Sequence, residues 1–158
     1  MLLRFYSVTN KQGPSVSFCS AINGVCFYLY LNLKPRAMKL IAEILTGVVA
    51  TEHLYILWLE MFAWETAGKK AFKGSMPDEL FKPTKTLAAN QGLYNGFLAA
   101  GLIWSFIISD QAWQKNVAEF FLACVAVAGL YGALTASKKI FFIQALPAII
   151  ALAAVLLS

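Results

Sequence analysis

Glu52, His53 and Glu60 fall within a single stretch, GVVATEHLYILWLEMFAWET (47–66), and only Leu, Tyr, Ile, Leu, Trp and Leu separate His53 from Glu60. Carboxyl and imidazole groups are the side chains that most readily take and release protons near neutral pH. In apolar surroundings both types move towards their neutral forms, which brings them into the exchanging range together. Such a set suits general acid–base work on a lipid-like small molecule, or a proton relay. His53, Glu60 and Glu52 are therefore the candidate catalytic residues. Metal chemistry is a poor fit, because His53 is the single histidine and Cys19, Cys26 and Cys124 show no zinc spacing. A bis-histidine haem is excluded on the same count. No phosphate-binding Gly-rich loop, GxSxG or HExxH motif occurs, and no cofactor is expected.

On a helix, seven residues bring His53 and Glu60 to within about 20° of each other, two turns apart. Thr46, Val49, Ile56 and Trp64 share that half of the helix, and Glu52 lies at its edge, about 80° from Glu60. Leu54, Tyr55, Trp58, Met61 and Phe62 cover the opposite side and suit lipid. Polar residues of three further segments fall at the depth of Glu60. These are Asn90, Gln91, Tyr94 and Asn95, then Tyr131 and Thr135, then Gln144. The convergence predicts a polar cavity open to the cytoplasm, with Gln91, Asn95, Asn90, Tyr94, Tyr131 and Gln144 as ligand-binding residues. Buried amides and hydroxyls also join membrane helices without further function, at ~0.6 kcal/mol on average. That plainer reading is favoured for Gln144, Thr135 and Tyr131.

The elements that must position these residues are four apolar segments, 40–64, 87–108, 117–136 and 140–157. Each is long enough to cross ~30 Å of hydrocarbon at 1.5 Å per residue. Of the 158 residues, 59% are hydrophobic and 13% charged. Soluble domains carry about 25% charged residues, so the chain cannot cover a water-facing surface in the usual way. The short connections 109–115 and 137–139 force antiparallel neighbours, and 68–86 reads as a solvated loop. The expected fold is all-α, an integral membrane four-helix bundle. The rows Ala88, Gly92, Gly96, Ala100 and Ala128, Gly132, Ala136 mark close helix packing.

Lys69, Lys70, Lys73, Lys82, Lys85, Lys138 and Lys139 hold seven of the 13 basic residues and flank apolar runs. This pattern places loops 68–86 and 137–139 in the cytoplasm of a multi-pass cytoplasmic (inner) membrane protein. Nucleic-acid binding does not fit a net charge of +5 arranged in this way. Cys124 reads as a small apolar residue within a helix, and Cys19 could pair with Cys26 only outside the cytoplasm. Residues 1–37 are less regular. They read as an upstream extension or a signal-like segment, with 38–158 as the membrane domain.

The blocks ATEHLYILWLEMFAWETAGKKAF (50–72) and AANQGLYNGFLAAGL (88–102) resemble the small integral membrane proteins of domain-of-unknown-function family 1304. The likeness covers about 38–158 and implies a four-span membrane protein. It would make Glu52, His53, Glu60, Asn90, Gln91 and Asn95 hallmark positions, and it carries no catalytic assignment onto them. Three functions fit the sequence. The first is a membrane-embedded module that binds or acts on a lipid or other small molecule. The second is a small proton-coupled carrier or channel component, which would call for a homo-oligomer. The third is a structural or interaction subunit of a membrane complex. Whether the protein is an enzyme stays open at this stage.

Overall fold

The computed structural model describes the backbone of residues 15–74 and 76–158, and side chains from Arg36 onward except at Ser75. The expectations for 1–37, including a Cys19–Cys26 pair, fall largely outside those described residues. The chain divides into two compact units, 1–36 and 37–158, and the second holds all the candidate residues.

The described residues are helical and form no strand. In chain order come α1 (Ser15–Met61), a π-helical turn (Trp64–Gly68), α2 (Lys69–Ala71), a 3-10 turn (Asp78–Leu80), α3 (Lys85–Ile107), α4 (Gln111–Thr135), a second π turn (Phe141–Ala145) and α5 (Leu146–Leu156). Two stretches are long and apolar enough to cross a membrane, Arg36–Met61 and Gln111–Thr135, with mean hydropathies of 1.5 and 2.0. Phe141–Leu156 is apolar but shorter. α3 is long enough at 23 residues, but Asn90, Gln91 and Asn95 dilute its hydropathy.

Glycines set how closely the helices approach. A Cβ on Gly92 of α3 would stand 3.0 Å from Glu60 Cβ, and one on Gly96 would overlap the Leu57 side chain. At the other end of the pair, Gly47 of α1 faces Phe106 of α3, so the two helices run antiparallel. α4 returns along α3, with Gly101 under the Phe121 ring. Gly129 of α4 then meets the backbone of Ala145, where a Cβ would come within 2.7 Å of the amide nitrogen. Lys115, near the start of α4, reaches the backbone oxygens of Leu156 and Ser158, which makes this pair antiparallel too. The close approach on α4 thus runs through Gly129 and Gly132, while Ala128 of the expected row is exposed. Ala100 of the α3 row is exposed as well.

The shared core is made by Val49 and Ala50 of α1, Leu102 of α3, Leu122 and Val125 of α4, and Ala148 and Ala151 of α5. Alanines at 145, 148 and 151 recur every third residue and are completely buried, which gives α5 a flat face for α4. Small side chains suit this purpose, since contact between apolar helices relies on close van der Waals fit.

The lysine-rich connection is more ordered than a solvated loop. Phe81 is buried against Trp64 and Ala88, with Phe72 and Met76 packed around them. Lys69 pairs with Asp78 at 3.0 Å and Lys85 with Glu65 at 2.9 Å. Gly74 makes the turn at φ +85°, a conformation that L side chains rarely adopt. Trp64 Nε1 donates to Thr84 Oγ1 at 3.2 Å, tying the end of α1 to the residue before α3. Aromatic residues within a Lys- and Gly-rich segment were the available signal for this small cluster.

Candidate functional site

His53 and Glu60 both face the interior, with 0% and 8% of their surface exposed. The face of α1 follows from its sequence. Thr46, Val49 and Trp64 are buried on the same side, while Leu54, Tyr55, Trp58 and Phe62 are exposed. Thr46, His53 and Glu60 recur every seventh residue, so they form an interior polar row with steps of about 10.5 Å.

Other helices supply the partners. Asn95 Nδ2 donates to Glu60 Oε2 at 2.9 Å, joining α3 to α1, and also lies 3.2 Å from the carbonyl oxygen of Gln91. His53 Nδ1 lies 2.8 Å from the carbonyl oxygen of Val49. A carbonyl can only accept, so the ring hydrogen of the neutral imidazole sits on Nδ1. Nε2 is then an acceptor, and Gln144 Nε2 stands 3.4 Å from it as donor. Gln144 is delivered by the π turn Phe141–Ala145. Pro147 follows at the start of α5, lacks an N–H and crowds the carbonyl four residues earlier. The widened turn falls where a regular ladder would be interrupted.

The remaining expected residues lie elsewhere. Asn90, Gln91, Tyr94 and Tyr131 have exposed side chains, as does Thr135, whose hydroxyl donates to the Tyr131 carbonyl. Only the backbone carbonyl of Gln91 touches the interior site. Depth alone had grouped these residues, but direction around the helix separates them. Asn90 is about 140° and Tyr94 about 100° from Asn95 on α3. On α4, Gly129 occupies the face turned to Ala145, which leaves Tyr131, about 200° round, pointing away.

Glu52 is half-buried on the flank of α1 and apart from the His53–Glu60 row. One of its carboxyl oxygens is buried without a hydrogen-bond partner among the described residues. It borders a shallow groove with Ile44, Gly47, Val48, Thr51 and Tyr55. Neither this groove nor the best-formed cleft, at the opposite end of the helices from Glu60, touches His53, Glu60 or Asn95. His53 and Glu60 are themselves buried, and neither of these two concavities lies in the layer where the cytoplasmic cavity was expected. No group of three or more His, Cys, Asp or Glu side chains that could hold a metal occurs among the described residues.

What this arrangement can do follows from the choice of partners. Each interior ionisable group meets a neutral amide. An amide can present either its NH2 or its oxygen, so it can satisfy carboxylate and carboxylic acid, or imidazole and imidazolium, by turning over. A Lys or Arg in the same place would hold one charge state.

The family model described as "Protein of unknown function (DUF1304)" matches residues 47–156. The chain is similar to "Uncharacterized protein YpaA" of Lactococcus lactis subsp. lactis (strain IL1403), at 35% identity over 116 residues. That alignment takes in 73% of this chain and 96% of the relative. No solved structure matches the chain. The matched span, which takes in α1 from Gly47 onward and all of α3, α4 and the second π turn, includes His53, Glu60, Asn95 and Gln144, and the chain belongs to the DUF1304 family.

Proposed function

We propose that the protein is a four-span integral membrane protein of the cytoplasmic membrane, with residues 38–158 as its membrane domain. Its spans would be the part of α1 after Arg36, α3, α4, and the second π turn together with α5. What supports the membrane placement is an inverted distribution of side chains. Phe62, Ile107 and Leu134 are 72%, 73% and 87% exposed, while His53 and Glu60 are buried. In water such an outer surface would be an aggregation hazard, whereas in lipid it is the expected one. The lysine-rich segments 68–86 and 137–139 then face the cytoplasm.

Within that frame, the interior row works as a proton-exchanging site. The observation that carries this reading is the pairing of Glu60 and His53 with Asn95 and Gln144, amides that fit both protonation states of their partners. Infrared difference spectra between acidic and neutral pH should contain a buried-carboxyl band that disappears in Glu60→Gln. The parent spectrum lacking such a band would sink the proposal. Glu60→Gln should also fold in detergent yet fail to rescue the phenotype of a deletion strain.

A second reading is a structural or interaction subunit. It draws on the complete burial of His53. Full rescue by a folded Glu60→Gln variant would favour it over proton exchange. A lipid-like substrate at the His53–Glu60 layer has less support, since neither the groove beside Glu52 nor the cleft at the far end of the helices is lined by His53 or Glu60.

A further inference from the structure

At the end of the helices remote from Glu60, a cleft of about 170 Å³ opens between α1, α3, α4 and α5. One water needs only ~10–15 Å³ on the same measure. Two hydroxyls line its deep part, Thr46 and Ser105, at 2% and 1% exposure. Each donates its hydrogen to its own helix, Thr46 to the Ala42 carbonyl at 2.8 Å and Ser105 to the Leu102 carbonyl at 2.6 Å. A hydroxyl keeps acceptor lone pairs after donating. The two groups therefore offer acceptors and no charge, which suits neutral O–H donors.

The rim has the opposite character. Lys39 and Lys115 both line it. Lys115 Nζ lies 3.4 and 3.3 Å from the backbone oxygens of Leu156 and Ser158, which leaves one of its three hydrogens for a ligand. Lys39 Nζ stands 3.9 Å from the carboxylate of Glu43, too far for a formed hydrogen bond. Two cations and the single carboxylate of Glu43 leave the lining side chains net positive above a neutral acceptor floor, which suits an anion carrying hydroxyl groups. The geometry points to a binding site for a polyol phosphate, with its hydroxyls on Thr46 and Ser105 and its phosphate between Lys39 and Lys115. The group could come from the glycerophosphate headgroup of a membrane lipid or from free glycerol phosphate. Phe106 and Val155, which also line the cleft, give the lipid an apolar wall. The site shares Thr46 with the interior row but touches neither His53 nor Glu60, and only the lipid source leans on the membrane placement.

Calorimetric titration of the full chain in detergent tests the site, using short-chain phosphatidylglycerol, short-chain phosphatidylcholine and glycerol 3-phosphate. Phosphatidylglycerol should saturate and phosphatidylcholine should not. Lys39→Gln should weaken binding about tenfold, the size of one charge-assisted hydrogen bond. Thr46→Val and Ser105→Ala should weaken it as well. Glu43→Gln, which removes the carboxylate beside Lys39, should tighten it. Equal binding of glycerol 3-phosphate would identify a soluble occupant, and binding of the lipid alone a headgroup. Phosphatidylcholine binding as tightly as phosphatidylglycerol, no saturation by either glycerol phosphate compound, or affinity unmoved in Lys39→Gln would overturn the assignment. Lys39 is exposed, so that variant decides the matter even if a floor variant does not fold.

Discussion

Asn95 donates to the carboxyl of Glu60 at 2.9 Å across the contact of α3 with α1, and both side chains are buried. The bond exists because Gly92, one turn earlier on α3, lets the two backbones approach at the level of Glu60. The same approach fixes the rotation of α3.

Asn95→Leu should therefore leave Glu60 without its partner and lower stability by about 1–3 kcal/mol, the usual cost of an orphaned buried polar group. Adding Glu60→Leu should recover part of that loss, because no polar group then remains unpaired. Melting curves of the single and double variants in one detergent give the coupling. Strictly additive losses would mean that the two side chains do not interact.

For the neutral imidazole of His53, the Nδ1–H tautomer is expected, since the Val49 carbonyl can only accept. Nitrogen chemical shifts of labelled histidine report it directly, with a single histidine to assign. Gln144→Leu should shift the Nε2 signal and leave the Nδ1 signal largely in place. A dominant Nε2–H form would contradict the hydrogen-bond assignment.

Gly129→Ala should destabilise by about 1–3 kcal/mol, because the added methyl must push the Ala145 backbone away. Gly47→Ala is the matched control. Its methyl would meet only the Phe106 ring at 3.9 Å, an ordinary contact, so this variant should match the parent or gain up to about 1 kcal/mol from helix propensity. Gly129→Ala as stable as Gly47→Ala would show that the α4 approach does not constrain the helix pair, since helix propensity favours alanine at both positions.

Cysteines placed at Lys73 and Ala112, in a background lacking the native cysteines, should react with an impermeant reagent from opposite sides of the membrane. Under the proposed topology Lys73 lies in the cytoplasmic segment 68–86, and Ala112, exposed in the first turn of α4, lies at the other end of the spans. Reaction of both from one side would remove the four-span topology.

The sequence by itself determined the buried and exposed faces of α1, because a period of 3.6 fixes the direction of every residue on one helix once a single face is known. His53, Glu60, Thr46 and Val49 are buried and Leu54, Tyr55, Trp58 and Phe62 exposed, as that period requires. It also marked Glu60, Gln144 and the group Asn90, Gln91, Tyr94 and Asn95 as polar interruptions of separate apolar runs. Which of Asn90, Gln91, Tyr94 and Asn95 turns inward was decided only by the tertiary structure. Depth along a span follows from counting residues, but rotation of one helix against another follows from the fit of Gly92 and Gly96 to Leu57 and Glu60. The partner of His53 was decided in the same way, by a π turn before Pro147 and a glycine contact at Ala145. The cleft between Thr46 and Ser105 also needed the assembled helices. Its residues lie 59 positions apart in the chain, and no local pattern relates two hydroxyls that each bond only to their own helix.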